Sequence, residues 1–119
     1  MTLDNLPGTY KVIGSNQDAD SYNYKGILSL SLDRNKRVIA KWLINNTQEQ
    51  FGTGFFKDNI LVINFYYKGE NDTTFKGVVV YRCLSNDVLD GFWSEKHGDP
   101  NFLGKERCFR NSDPSNTIN

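Results

Sequence analysis

The chain has 119 residues and carries 14 basic and 14 acidic side chains, for a formal net charge of zero. A chain of this length makes one domain with a single modest core. It has no basic stripe, which argues against a nucleic-acid partner held by phosphate neutralisation. The composition, 38% apolar and 24% charged, is that of a globular domain. No apolar run approaches the roughly 18 residues of a membrane-spanning helix, so no membrane partner is expected.

The opening Met1–Tyr10 has neither the basic start nor the apolar stretch of a signal peptide. The expected location is therefore cytoplasmic, although a mature exported chain would begin in the same way. Cys83 and Cys108 fit no metal spacing and read as free thiols packed as small apolar groups.

From there the chain reads as strands punctuated by Gly, Asn, Asp and Lys, with no amphipathic helix. The first strand is expected over Gly8–Ile13. The second, Tyr22–Leu32, alternates, with Tyr24, Gly26, Leu28, Leu30 and Leu32 on one face and Asn23, Lys25, Ser29 and Ser31 on the other. The third, Val38–Ile44, turns Val38, Ala40, Trp42 and Ile44 inward and Lys41 outward. Strands four and five, Gln48–Phe56 and Ile60–Tyr67, do not reveal their inward faces.

The sixth strand, Phe75–Leu84, places Lys76 and Arg82 outside and Phe75, Gly77, Val79, Tyr81 and Cys83 inside. The seventh, Val88–Ser94, sets Leu89, Gly91 and Trp93 opposite Asp90. The eighth runs over Leu103–Arg110. Residues 1–110 thus form one domain, followed by the polar tail Asn111–Asn119.

Eight strands with local connections close most simply as an all-β, antiparallel up-and-down barrel, because closure removes exposed edges. A two-sheet sandwich is the rival arrangement. Mid-strand glycines Gly26, Gly52, Gly54, Gly77, Gly91 and Gly104 suit the barrel, since each lets a strand bend or a neighbouring ring lie over bare backbone. Connections one, three, five and seven fall at one end of a meander and are mostly the longer ones. That asymmetry fits a cup with one elaborated rim, where binding residues concentrate.

At this point the chain resembles the lipocalin and avidin-like barrels, the calycin group. Leu6–Tyr10 followed by Gly14–Ser15 is similar to their Gly-x-Trp opening, with Tyr10 in place of the tryptophan. Glu106–Arg110 offers the last-strand arginine that packs on the opening aromatic and closes the base in such barrels. Arg107 and Arg110 are both candidates for that part. The chain also resembles small bacterial domains of uncharacterised function that carry Y-x-G-x-L, G-x-G, G-V-x-V-Y, L-x-G-x-W and G-x-E in order. Here these are Tyr24–Leu28, Gly52–Gly54, Gly77–Tyr81, Leu89–Trp93 and Gly104–Glu106. The resemblance implies a fold and not an activity. Biotin binding is not implied, because the tryptophan set of a biotin pocket is missing.

Among chemically capable residues, His97 lies in a polar loop with Glu95 and Asp99, and reads chiefly as a solvated residue. If Gly104 faces inward, period two brings Glu106 and Cys108 inside with it, and Glu106 then needs partners such as Tyr24, Tyr81, Asn64 or Trp93. The opposite parity would put Arg107 inside instead. Tyr24, Trp42, Tyr66, Tyr81 and Trp93, with Glu106, are the candidate ligand-binding residues. A packed core is the competing use of the same rings.

The function expected is non-enzymatic binding of a small apolar or aromatic ligand at the open end, with no metal and no cofactor. The alternative is a protein-interaction or inhibitor module, or a homo-oligomer, that uses rim loops or the outer face, where Ile27, Ile39 and Leu43 are expected. An isomerase or lyase would have only Glu106 and His97 to work with.

Overall fold

Eight antiparallel strands follow one another round a closed barrel, each bonded to its neighbour in sequence and the last to the first. They are β1 (Gly8–Ser15), β2 (Tyr24–Leu32), β3 (Val38–Ile44), β4 (Gln48–Lys57), β5 (Ile60–Lys68), β6 (Thr74–Cys83), β7 (Val88–Glu95) and β8 (Gly104–Arg110). The structure is a computed structural model, which describes residues 1–18 and 21–111. The expected tail lies, beyond Asn111, outside the described residues. Closure is made by β1 against β8, from Tyr10↔Arg110 to Ser15↔Lys105, so the sandwich arrangement does not apply.

The strand limits differ from the alternation pattern by one or two residues. The most consequential difference is at β1, which continues through Gly14 and Ser15 instead of ending at Ile13. Gly14 pairs with Tyr24 on one side and Glu106 on the other, so it is a strand residue and not the start of a loop. Tight reversals use Asx residues in the left-handed region: Asn45 and Asn46 between β3 and β4, and Asp58 and Asn59 between β4 and β5. Such residues tolerate positive φ without glycine, and paired positive φ matches the twist of a hairpin.

The end bearing the short connections is plugged by the N-terminal segment. Leu6 is fully buried there, and the Tyr10 hydroxyl donates to the Leu6 carbonyl at 2.6 Å. Burial pushes the Tyr10 phenol up to about 12. The Arg110 guanidinium stands over the Tyr10 ring, 4.8 Å from its centroid. It also donates to the carbonyls of Asn5 (2.7 Å), Pro7 (2.9 Å) and Asn86 (2.8 Å). Arg110 therefore closes the base, whereas Arg107 faces solvent and pairs with Asp90.

Above this plug the interior is packed by Val12, Leu28, Leu30, Val38, Leu61, Ile63, Leu89 and Cys108, all buried. Inward parity holds as expected on β2, β3, β6 and β7, except that Phe75, at the rim end of β6, is exposed and not enclosed. On β5 it falls to Leu61, Ile63, Phe65 and Tyr67, and on β8 to Gly104, Glu106 and Cys108. Cys83 and Cys108 are both free and buried. They lie level with Leu89 between them, Cys83↔Leu89↔Cys108, two strand spacings apart and beyond disulfide reach.

The outer face carries Ile27 exposed and Ile39 and Leu43 half-buried. It also carries one register row of apolar residues across four strands, Phe55↔Val62↔Val80↔Phe92.

Candidate functional site

Glu106 occupies the middle of a register row that reads Tyr24–Gly14–Glu106–Gly91–Tyr81 across β2, β1, β8, β7 and β6. The strands on either side of the carboxylate each offer a glycine at that level, and the strands beyond each offer a tyrosine. A Cβ on Gly14 would fall inside the Tyr24 ring, and one on Gly91 would crowd the Tyr81 ring. The two bare positions are thus what lets both phenols lean over a strand to reach the same acid.

Tyr24 donates to Glu106 Oε1 at 2.8 Å, and Tyr81 donates to Oε2. The Trp42 indole, from β3, donates to Oε2 and to the Tyr81 oxygen, both at 3.2 Å. Cys108 adds a weak thiol contact to Oε2 at 3.8 Å. One step further out, the Trp93 indole donates to the Tyr24 hydroxyl at 3.0 Å. Trp93 itself lies flat over Gly104, where any Cβ would displace it. Among the described residues no buried side-chain nitrogen or oxygen lacks a partner.

The acid is only 6% exposed, and among the described residues no cationic side chain is its partner. Burial raises its pKa above the ordinary value, opposed by the bonds from Tyr81, Tyr24, Trp42 and Cys108. Burial also raises Tyr24, Tyr81 and Cys108, reinforced in each case by the charge of Glu106. All three donors therefore stay protonated at neutral pH and keep facing the acid.

Above Glu106 the barrel opens into a cavity of about 280 Å³ at the end bearing the longer connections. Its walls are Tyr24, Trp42, Phe65, Tyr67, Trp93, Ile44 and Val79, and Glu106 lies at its floor. Its rim is polar, formed by Asn16 and Asn23, Asn45, Gln48 and Gln50, with Glu95. The rings brace one another: Phe65 meets Trp42 and Trp93 edge-on, both at 6.1 Å, and stacks on Tyr67 at 6.4 Å. Tyr67 stacks in turn on Phe75 at 5.2 Å and donates its hydroxyl to Glu95. Burial raises the Tyr67 phenol, with the Glu95 bond acting in the same direction. The rim is fastened by Gln17, which donates to the Phe102 carbonyl at 2.8 Å and accepts from the Glu95 amide at 3.0 Å.

Of the six residues singled out in the sequence, Tyr24, Trp42, Trp93 and Glu106 line this cavity, and Tyr81 supports the acid from the packed layer. Tyr66 does not join them. It is 48% exposed and packs on Phe51 of β4 at 5.8 Å on the outside of the barrel. Its place in the cavity is taken by Tyr67, because β5 turns its odd positions inward. Asn64 faces outward for the same reason and is no partner of Glu106.

His97 is exposed in the last rim loop and lines none of these walls, so it stands apart from Glu106. No group of three or more His, Cys, Asp or Glu among the described residues is placed to hold a metal ion. The residues that sequence reasoning missed are Phe65, Tyr67 and Glu95, with the rim amides. The only sequence signal for Phe65, Tyr67, Gln48 and Gln50 was the open parity of β4 and β5, and Glu95 stood out only as a neighbour of His97.

No protein-family model matches the chain, and no curated protein matches it. Solved structures that share the fold include three barrels bound to DFHBI. A redesigned β barrel, mFAP1, bound to DFHBI, superposes with a TM-score of 0.63 over 91% of this chain and 97% of its own, at 19% identity. A second redesigned barrel, mFAP0, also bound to DFHBI, gives 0.63 over 89% and 99%, again at 19% identity. EF1p2_mFAP2b bound to DFHBI gives 0.58 over 90% and 94%, at 18% identity. At that identity the likeness is one of fold: a closed eight-stranded antiparallel barrel, consistent with the lipocalin-like architecture.

Proposed function

We propose that the protein is a small-molecule-binding barrel whose ligand enters past the polar rim and rests among Tyr24, Trp42, Tyr67 and Trp93, above Glu106. The observation that carries this reading is the cavity. The lower half of the barrel is filled by its own aliphatic side chains with Tyr10 and Tyr81, whereas the upper half is walled largely by rings and left open over about 280 Å³. Apolar walls with a few fixed polar groups are the usual makeup of a small-ligand site. The three similar barrels, each bound to DFHBI, support the reading by fold alone.

The volume is at the low end for ligand sites and suits a single ring with a short arm better than a fused system. Native mass spectrometry of freshly purified protein, followed by tryptophan fluorescence against a panel of one-ring compounds, tests the proposal. A retained small mass or a saturable quench is expected. A bare protein mass together with a flat response across the panel would refute it.

The outer row Phe55–Val62–Val80–Phe92 favours a second reading, an interaction surface on β4–β7. The same spectra, by their oligomeric mass, distinguish it.

A further inference from the structure

The charge of the cavity narrows the ligand class, an inference that rests on the pocket reading above. Glu106 and Glu95 both line the cavity, and among the described residues no Lys, Arg or His lines it. The shallower depression adjoining the mouth adds Asp18 and Asp99 against, among the described residues, one cation, Lys105. The bonding of Glu106 is also lopsided. Oε2 is surrounded by Tyr81, Trp42 and Cys108, while Oε1 takes one side-chain donor, the cavity-lining Tyr24. A carboxylate oxygen has room for about two donors, so one acceptor position on Oε1 is left over. A buried acid held by neutral donors and lacking a counter-ion is costly when ionised, and a bound cation would lower that cost. The walls suit the same guest, since electron-rich rings attract organic cations.

We propose that the ligand is a small aromatic amine in its cationic form, with the ammonium directed at Glu106 Oε1 and the ring among Trp42, Phe65 and Trp93. The test compares three one-ring probes of matched size, 2-phenylethylammonium, 2-phenylethanol and 3-phenylpropionate, by tryptophan fluorescence with the full-length protein. The ammonium is expected to bind about tenfold or more tightly than the alcohol, and the carboxylate weakest.

In Glu106→Gln the preference for the ammonium over the alcohol is expected to collapse to within about threefold. Circular dichroism of that variant checks that the barrel is intact. Glu95→Gln removes the rim charge without touching the floor and is expected to lower ammonium affinity by a smaller factor. Equal affinity for ammonium and alcohol, or a preference for the carboxylate, overturns the cationic assignment and leaves the pocket reading standing. No response to any of the three, nor to the wider panel, overturns both.

Discussion

Tyr81→Phe is the sharpest perturbation of the Glu106 network. The ring is fully buried and stays in place, so only the hydroxyl is lost and no cavity larger than one oxygen appears. That hydroxyl donates to Glu106 Oε2, and above the raised pKa of the acid, where the acceptor is charged and buried, such a bond contributes about 1.5–3 kcal/mol. The remaining donors to Oε2, Trp42 at 3.2 Å and Cys108 at 3.8 Å, soften the loss without replacing it. Trp42 also loses the Tyr81 oxygen as an acceptor, but its N–H keeps Oε2 and is not orphaned.

The net cost is therefore about 2 kcal/mol, which at a urea m-value of about 2 kcal/mol/M lowers the unfolding midpoint by about 1 M. In a Glu106→Gln background the same bond is between neutral groups and contributes about 1 kcal/mol, leaving a coupling of about 1 kcal/mol in the double-mutant cycle. The cost should also shrink in acid, where Glu106 is protonated and asks less of its donors. A Tyr81→Phe cost within about 0.5 kcal/mol in both backgrounds, independent of pH, would refute the reasoning.

Further outcomes follow from the structure. Because burial raises Glu106 above its ordinary value of 4.5, its contribution to stability is fully present below that value and is lost as pH rises through the raised one. The stability difference between the native protein and Glu106→Gln should therefore fall from pH 4 to pH 7 in urea titrations, and a difference that grows with pH would contradict this. Arg110→Ala removes three carbonyl contacts and the face of Tyr10, and should cost about 3 kcal/mol in the same assay. Arg107→Ala, at an exposed pair, should leave the midpoint where it is. Gly14→Ala forces Tyr24 away, for about 1–3 kcal/mol of overpacking, and should shift the Trp93 indole signal although Trp93 is not its neighbour in sequence.

The fold was legible in the sequence where period-two alternation separates apolar from charged positions, as in β2, β3 and β6. It was illegible on β4, and the reason is physical. That strand points Gln48 and Gln50 toward the cavity rim and the rings of Phe51 and Phe55 outward, inverting the usual pattern. On β5 both faces are apolar along most of the strand, so Tyr66 and Tyr67 look equivalent until pairing with β4 and β6 sets the parity. Glu106 was readable only on the condition that Gly104 faces inward, and the opposite parity, with Arg107 inside, stayed open until the structure set it. Its partners were not fully readable, because the row Tyr24–Gly14–Glu106–Gly91–Tyr81 joins positions up to 92 residues apart and exists only once β1 meets β8. The choice of Arg110 over Arg107 depended on the same closure.

The protein has two tryptophans, and both belong to the site: Trp42 donates to Glu106, and Trp93 donates to Tyr24. The two indole N–H resonances in a nitrogen-15 correlation spectrum therefore report the wall and the floor of the cavity together. Titration with 2-phenylethylammonium should move both, saturably, with amide shifts confined to the rim connections and the upper ends of the strands. If both indole signals stay fixed while ligands shift only residues of the outer face, the barrel interior is not the binding site.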